Sequence, residues 1–305
     1  TMKVKVVTRS GRELAALDVP EGGGVEDLMG AMAAANPKYY PSRQRFSLPP
    51  KAGESRGTPL AAGKKLSDYG LEDGAVLQFK DLGPQIGYAT VFFWEYFGPM
   101  TIYPLFYLLP ELLYPWATGP VSRGPVQGMA CAYWVFHFAK RIAETFTVHR
   151  FSHATMPVAN LFRNCTYYWG FAAFVSYFIN HPAYTAPPLL QAQVALGAGL
   201  VCQASNLWCH IILANLRPPG TKEYRIPSGF LFNLITCANY TTEIYGWACF
   251  NVATASLGGV IYMLCGAGQM AIWAAAKHAR LRKLFDGKDG RPKYPRRWIM
   301  LPPFF

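Results

Sequence analysis

The sequence predicts a small α+β domain followed by an α-helical membrane bundle of about six transmembrane helices. The first observation is composition, because 51% of the 305 residues are hydrophobic and only 15% are charged, whereas soluble proteins carry about 25% charged residues. The second is that charge is ordinary up to about residue 81 and scarce afterwards. The third is a series of apolar runs after that point, each long enough to cross a bilayer. We therefore predict two domains, residues 1–81 and residues 82–305.

The N-terminal domain has the pattern of a small sheet packed on one helix. MKVKVVTRSGRELAALDVP alternates apolar and polar residues on both sides of RSGRE, which predicts a β-hairpin. A helical pattern runs from Val25 to Ala35 and ends at Asn36-Pro37. KKLSDYGLEDGAVLQFK then predicts a turn followed by a last strand. This order of elements resembles the ubiquitin-like β-grasp fold, and nothing in it is typical of catalysis, so we expect a cytosolic accessory domain.

The remaining chain predicts six membrane spans. They are Ile86–Leu113, Val126–Phe146, Val158–Ile179, Leu189–Leu213, Phe230–Phe250 and Ala255–Ala276. Prolines at positions 99, 104 and 110 predict that the first span is kinked or split. Lys and Arg concentrate in alternate connections and in the C-terminal tail, and the positive-inside rule then places both termini in the cytosol. An even number of spans satisfies that orientation.

The composition and the motifs exclude several classes of function. A net charge of +12 is compatible with nucleic-acid binding, but the basic residues lie in short blocks between apolar runs and accompany no nucleic-acid-binding motif. Seven cysteines without a CxxC pair are expected to be small buried hydrophobes. Six scattered histidines without an HExxH motif predict no metal centre.

Polar residues inside the apolar runs are the candidate functional residues. Glu95 lies deep in the first span, and NYTTEIYGW, which begins at Asn239, interrupts the fifth. An ionisable side chain in a span usually faces a cavity or a partner, so Glu95 and Glu243 are either site residues or buried partners of basic residues such as Arg141 or Arg225. The basic residues near the expected cytosolic ends of the spans have two possible roles. They either set the membrane orientation alone or also bind a phosphate-rich ligand. The candidates for substrate or phosphate binding are Lys140, Arg141, His149, Arg150 and Glu243.

Several of these stretches resemble one known family. LRPPGTKEYRIPSGFLFN, NYTTEIYGW and KHARLRKLF, together with the PFF terminus, are similar to the steroid 5α-reductase family. The N-terminal domain and KRIAETFTVHRFSHATMP narrow the resemblance to its very-long-chain trans-2-enoyl-CoA reductases of the endoplasmic reticulum. The expected fold is therefore a steroid 5α-reductase-like bundle with an N-terminal ubiquitin-like domain.

The resemblance implies a function and a set of site residues. It implies NADPH-dependent reduction of a long-chain trans-2-enoyl-CoA to the saturated acyl-CoA, the last step of each fatty acid elongation cycle, with the lipid bilayer and other elongation enzymes as partners. The residues that match dinucleotide contacts are Asn206, Arg217, Tyr224, Arg225, Asn239, Lys277 and His278. The residues that match the catalytic pair are Glu95 and Tyr240, with Tyr240 as the donor to the enolate.

Two other classes of function stay open at this point. One is a related reductase that acts on a sterol or polyprenol enone, which a substrate panel with NADPH would distinguish. The other is a non-enzymatic membrane adaptor that displays the ubiquitin-like domain, which would not bind NADPH.

Overall fold

The computed structural model describes residues 1–119, 121, 123–151, 153–216 and 224–305. The chain forms two compact units. The first unit comprises residues 1–88 and 153–160, and the second comprises residues 89–152 and 161–305.

The first unit is a four-stranded mixed sheet with one helix. Its strands are β1 (Met2–Val7), β2 (Glu13–Val19), β3 (Gln44–Ser47) and β4 (Ala75–Asp81), and its helix is α1 (Val25–Ala35). The spatial order is β2-β1-β4-β3, with β1 antiparallel to β2, parallel to β4, and β4 antiparallel to β3. Two further short strands, β5 (Gln85–Gly87) and β6 (Thr155–Pro157), pair with each other in the same unit.

The predicted hairpin and helix of this unit are confirmed. The alternation in β1 and β2 works because one face of each strand is buried, as Val4, Val6 and Leu17 are, against Leu28 of the helix and Leu77 of β4. These are the elements that the β-grasp prediction requires. The ubiquitin-like assignment and the domain boundary at residue 81 stay predictions.

The second unit consists of helices. They are α2 (Tyr88–Leu108), α3 (Pro110–Leu113), α4 (Pro125–Thr147), α5 (Ala159–Ile179), α6 (Leu189–Asn215), α7 (Ala238–Thr254) and α8 (Leu257–Leu284). The first predicted span is split, as its prolines indicated, because α2 ends before Pro110. A cluster of aromatic rings around the fully buried Trp134 holds the helices together, with Tyr103 at 5.0 Å and Trp247 at 5.1 Å between ring centroids.

In the described part of the chain, two helices, α6 and α8, are long and apolar enough to cross a membrane. This observation agrees with a membrane protein, while the count of six spans and the cytosolic position of both termini stay predictions.

The fifth predicted span begins later than the hydropathy pattern indicates. Residues Phe230–Asn233 form one turn of 3-10 helix, and α7 begins at Ala238. Between these two elements, the backbone forms hydrogen bonds with the C-terminal segment and not with a helix. Thr236 N donates to Trp298 O at 2.8 Å, and Cys237 N donates to Ile299 O at 3.0 Å. Asn239 and Tyr240 therefore lie in the first turn of α7 and not in the middle of a span.

Candidate active site

Three helices of the second unit each carry a row of polar side chains at helical spacing. Residues three or four positions apart lie on one face of a helix, and these rows face one another where α4, α6 and α7 pack together. We call the resulting group the polar seam. Its members are Tyr133, His137, Lys140, Arg141 and Glu144 of α4, Gln203, Asn206 and His210 of α6, and Asn239, Thr242 and Glu243 of α7.

Glu144, near the C-terminus of α4, is the centre of one end of the polar seam. Its side chain is 2% exposed, and its two oxygens accept from Lys140 Nζ at 3.0 Å and from Arg141 Nη1 at 2.9 Å. His210 Nδ1 lies 3.1 Å from the oxygen that Arg141 contacts. One carboxylate thus balances two buried cations, since Lys140 and Arg141 are only 8% and 13% exposed.

Lys140 connects this ion cluster to the first turn of α7. Its Nζ also donates to Asn206 Oδ1 at 2.8 Å, and Asn206 Nδ2 donates to the backbone oxygen of Asn239 at 2.9 Å. The side-chain Oδ1 of Asn239 is buried and has no hydrogen-bond partner among the residues that the structure describes. A buried acceptor without a donor is costly, so this atom is suited to a ligand that brings an N–H or O–H group.

Arg141 links the ion cluster to α2. Its Nη2 donates to the Tyr96 hydroxyl at 3.0 Å, and its guanidinium lies 5.2 Å from the centre of the Tyr96 ring. Arg141 also interacts electrostatically with Glu95, Tyr240 and Glu243. The two predicted catalytic side chains are therefore both within the electrostatic range of one guanidinium.

Glu95 is held by an amide. Its residue is 1% exposed, and Asn164 Nδ2 of α5 donates to its Oε2 at 2.8 Å. Within the described ranges its carboxylate forms no salt bridge. The arrangement fixes the orientation of Glu95 and leaves its charge without a direct cationic partner, which is typical of a site residue rather than of a structural ion pair.

Tyr240 and Glu243 lie one turn apart on α7. Tyr240 is half-buried and packs beside Cys237, Ile244 and Ala274. Glu243 accepts no hydrogen bond from any residue that the structure describes, although it lies in the electrostatic range of Arg141 and other cationic or imidazole side chains of the polar seam. Both side chains thus keep functional groups available to a ligand.

The C-terminal part of α8 reaches the start of α7. His278 Nδ1 lies 2.7 Å from Thr236 Oγ1, and the Tyr294 hydroxyl donates to the same oxygen at 3.0 Å. Lys277 interacts electrostatically with Cys237, which precedes α7. The predicted cofactor residues Lys277 and His278 therefore meet Asn206 and Asn239 around one helix terminus.

The other predicted site residues lie farther out or outside the described chain. Tyr224 accepts from Arg280 Nη1 at 3.3 Å and is exposed, as are Arg225 and Arg150. Arg217 lies outside the described residues. His149, just after α4, packs its ring 5.1 Å from that of His210. Burial lowers the pKa of His149 to about 4, and nearby Arg141 and His210 act in the same direction.

Glu144, His149 and His210 also bring three potential metal-ligating atoms within 4.8 Å of one another. These three residues form no metal-binding sequence motif, because they come from two separate segments of the chain. The carboxylate already accepts from two cations, and a third positive charge beside Lys140 and Arg141 would be repelled. The expected absence of a resident metal stays a prediction.

The residues around the start of α7 meet one structural criterion for a dinucleotide site, which is that they offer hydrogen-bond acceptors and a cation. Asn239 Oδ1, which has no partner among the described residues, and the Glu243 carboxylate are acceptors on one face of α7. Lys277 supplies a cation near Cys237, which directly precedes this helix. A dinucleotide offers amide and hydroxyl donors together with phosphates, so it complements this set.

Sequence reasoning missed several members of the site. Asn164, Tyr96, Gln203 and Tyr133 carry no motif, since each meets its partner across 45 or more positions of the chain. Glu144 had a local signal, because its spacing from Lys140 and Arg141 is that of helical ion pairs.

Comparison with known proteins places the chain among lipid reductases. Residues 154–305 match the family described as 3-oxo-5-alpha-steroid 4-dehydrogenase. A probable very-long-chain enoyl-CoA reductase of Caenorhabditis elegans is 46% identical over 88% of this chain and 86% of its own length. A very-long-chain enoyl-CoA reductase of Dictyostelium discoideum is 41% identical over 99% of this chain and 98% of its own. A mouse trans-2,3-enoyl-CoA reductase-like protein is 35% identical over 88% of this chain and 75% of its own. The expected family is confirmed: the chain belongs to the very-long-chain enoyl-CoA reductases, and its residues 154–305 carry the 3-oxo-5-alpha-steroid 4-dehydrogenase domain.

Proposed function

We propose that this chain reduces the double bond of a long-chain trans-2-enoyl-CoA with NADPH, as the last step of the very-long-chain fatty acid elongation cycle at the endoplasmic reticulum membrane. The relatives' names support the substrate class. The observation that carries the proposal is the continuous polar seam, which extends from Glu144 through Lys140 and Asn206 to the start of α7. Buried ionisable groups between apolar helices are rare and usually mark a functional site.

The first turn of α7 is the proposed cofactor site. Asn206, Asn239 and His278 would hold the polar groups of NADPH, and Lys277 would face a phosphate. Tyr224, Arg225 and Arg217 are proposed cofactor contacts from the loop that precedes α7. When bound, NADPH supplies the hydride that adds to C3 of the conjugated thioester.

Tyr240 is the proposed donor to the substrate. As C3 is reduced, negative charge moves to the thioester oxygen, and C2 then takes a proton. A phenol has an ordinary pKa of about 10, so it carries its proton at neutral pH and donates a hydrogen bond to the developing enolate. Packing against Cys237 and Ala274 restricts the ring of Tyr240, which keeps its hydroxyl in one position.

Glu95 is the proposed positioning group on the other side of the site. Its hydrogen bond from Asn164 fixes one carboxylate oxygen, and the proposal assigns the oriented carboxylate to the substrate or to a proton relay. Arg141 donates to the Tyr96 hydroxyl and interacts electrostatically with Glu95 and Tyr240, so its proposed role is to orient the groups around the developing enolate.

The proposal is tested by NADPH oxidation with purified protein and a long trans-2-enoyl-CoA. We expect Tyr240→Phe to lower kcat by about 10²–10⁴-fold, the usual contribution of a positioned acid, with an unchanged melting temperature. Tyr245→Phe, on the exposed side of the same helix, is the matched control and should keep wild-type turnover. Wild-type turnover by Tyr240→Phe would contradict the assignment.

The same assay separates the alternative functions. The family description names a 3-oxo-steroid substrate, so a 3-oxo-4-ene steroid is the informative competitor. Faster reduction of the steroid than of the enoyl-CoA would assign a sterol reductase. Failure of the wild-type protein to bind NADPH would leave the membrane adaptor as the explanation.

A further inference from the structure

The C-terminal segment brings to the start of α7 a side chain that the mechanism above does not use. After α8 a turn reverses the chain, and Tyr294 N donates to Phe285 O at 2.7 Å. The reversed segment then pairs with the residues before α7, where Trp298 N donates to Leu234 O at 3.0 Å. The reversal places the ring of Tyr294 against that of His278 on α8, with the ring centroids 5.5 Å apart.

Two hydrogen bonds connect Tyr294 to His278 through Thr236. The Tyr294 hydroxyl donates to Thr236 Oγ1 at 3.0 Å, and the same oxygen lies 2.7 Å from His278 Nδ1. Tyr294 is 7% exposed and Thr236 is fully buried. Thr236 occupies Nδ1 in either tautomer of the imidazole, so Nε2 is the ring nitrogen without a partner among the described residues.

Two contacts besides its hydroxyl hold the ring of Tyr294. It meets the imidazole at an interplanar angle of 88°, and the Arg297 guanidinium lies 5.4 Å from its centre. Arg297 also donates to Pro227 O at 2.6 Å, in the loop that precedes α7. A phenylalanine at position 294 would keep the packing of the ring and remove only the hydroxyl.

The C-terminal segment does not need these hydroxyls for its attachment. The backbone N–H groups of Thr236 and Cys237 already donate to Trp298 O and Ile299 O. A pair of hydrogen-bonded groups can be replaced by apolar groups of the same shape at little cost in stability. The two buried hydroxyls are therefore best explained by what they hold, which is the imidazole of His278.

We propose that Tyr294 and Thr236 are positioning residues that hold His278 with its Nε2 available to the cofactor. They fix the rotation of the imidazole ring, because a ring that turned would lose the contact of Nδ1 with Thr236. A side chain that is fixed beforehand loses less conformational freedom when a ligand binds, which strengthens binding. The proposal rests on the proposed function, in which His278 helps to hold NADPH, and it gives the C-terminal segment a part in cofactor binding.

The experiment is a double-mutant cycle on NADPH affinity with the full chain in detergent micelles. We expect Tyr294→Phe to weaken NADPH binding by about three- to tenfold, the usual contribution of a hydrogen bond between neutral groups. The same change should alter the affinity by less than about twofold when His278 is already Gln, because the two residues act as a unit. Equal losses in both backgrounds would mean that Tyr294 does not act through His278 and would overturn the proposal.

The matched control is Tyr184→Phe. It also removes a tyrosine hydroxyl that bonds α7, since this hydroxyl donates to Thr254 O at 2.7 Å at the other end of the helix. We expect wild-type NADPH affinity. A loss equal to that of Tyr294→Phe would show that any weakened attachment of α7 lowers the affinity, and it would overturn the proposal.

Thr236 offers a second test that does not depend on the folding of Tyr294→Phe. Thr236→Ser keeps the hydroxyl, whereas Thr236→Val keeps the shape of the side chain without it. We expect Thr236→Ser to bind NADPH like the wild type and Thr236→Val to lose as much affinity as Tyr294→Phe. Equal affinities of the two Thr236 variants would overturn the proposal, because packing and not the hydroxyl would then be what matters.

A measurement without cofactor tests the same contacts. In a ¹H–¹³C spectrum of histidine-labelled protein, the signal of His278 is assigned by its loss in His278→Gln. It should shift in Tyr294→Phe and in Thr236→Val and stay in place in Tyr184→Phe, and an unshifted signal in the first two overturns the proposal. Failure of the wild-type protein to bind NADPH would instead contradict the proposed function, so the two failures are distinguishable.

Discussion

Removing the charge of Glu144 should expose how strongly the polar seam depends on one carboxylate. Glu144→Gln keeps the shape of the side chain but leaves Lys140 and Arg141 buried without their shared counter-charge. Breaking a buried ion pair from one side costs about 3–5 kcal/mol, because the remaining charge stays desolvated. For a chain of this size, about 2–4 °C of melting temperature correspond to 1 kcal/mol, so we expect a decrease of roughly 6–20 °C.

The assay is thermal unfolding in detergent micelles, monitored by tryptophan fluorescence, with Glu111→Gln as the matched control. Glu111 is 65% exposed and lies 3.6 Å from Arg123. An exposed pair of this kind contributes at most about 1 kcal/mol, so the control should shift the midpoint by no more than about 4 °C.

The double variant Glu144→Gln with Lys140→Met distinguishes a lost counter-charge from lost packing. Because it removes one of the two uncompensated cations, it should regain part of the stability that Glu144→Gln loses. A midpoint for Glu144→Gln within about 2 °C of the wild type, or a double variant less stable than the sum of the two single changes, would refute the reasoning.

Two further predictions concern groups outside the helices of the bundle. The bidentate hydrogen bonds from Arg43 lower the pKa of Asp81. The ionised Asp81 therefore stabilises the fold above the ordinary aspartate pKa, and this contribution is lost as the pH falls through the folded pKa. Arg43→Met should raise the pKa of Asp81 in a carboxyl NMR titration, and an unchanged pKa would contradict the assignment. The pKa of His149 is about 4 in the folded chain, below the ordinary 6.5, so unfolded His149 takes up a proton between those pH values while folded His149 does not. Stability should therefore decrease as pH falls from about 6.5 to 4. His149→Gln should reduce this dependence in thermal unfolding, and the same pH dependence in His149→Gln would count against the assignment.

The helices of the second unit were predictable because apolar runs and prolines are local signals. The α2–α3 break at Pro110 follows from the proline ring alone. The start of α7 was not predictable in this way, since the hydropathy of Phe230 and its neighbours continues that of the helix. Trp298 and Ile299 determine that start, because their backbone oxygens accept hydrogen bonds from the backbone N–H groups of Thr236 and Cys237. A local sequence pattern cannot predict a hydrogen-bond partner about sixty positions away.

The residues of the candidate site likewise fall into those with a local sequence signal and those without one. Glu95 stands out because a carboxylate in an apolar run is rare, but its partner Asn164 lies on another helix, 69 positions later, and looks like an ordinary polar residue. The resemblance to the family identified residues around α7, such as Asn239. The structure was needed to show that Asn239 Oδ1 has no hydrogen-bond partner among the described residues. The roles of Glu95 and Tyr240 in reduction stay predictions.

The charge balance of the polar seam bears on which cations meet the cofactor phosphates. Lys140 and Arg141 both donate to Glu144, and Glu243 provides a second negative charge in the range of the same cations. The two positive and two negative charges cancel, so the seam has little positive potential left for a phosphate group. Lys277 of α8 has no such carboxylate among its described contacts. For this reason we propose that the α8 side binds the phosphate groups, and that Lys140 and Arg141 orient Asn206 and Tyr96. In this proposal the polar run at the start of α7 separates a neutral interior, the proposed place of reduction, from a basic rim, the proposed cofactor site.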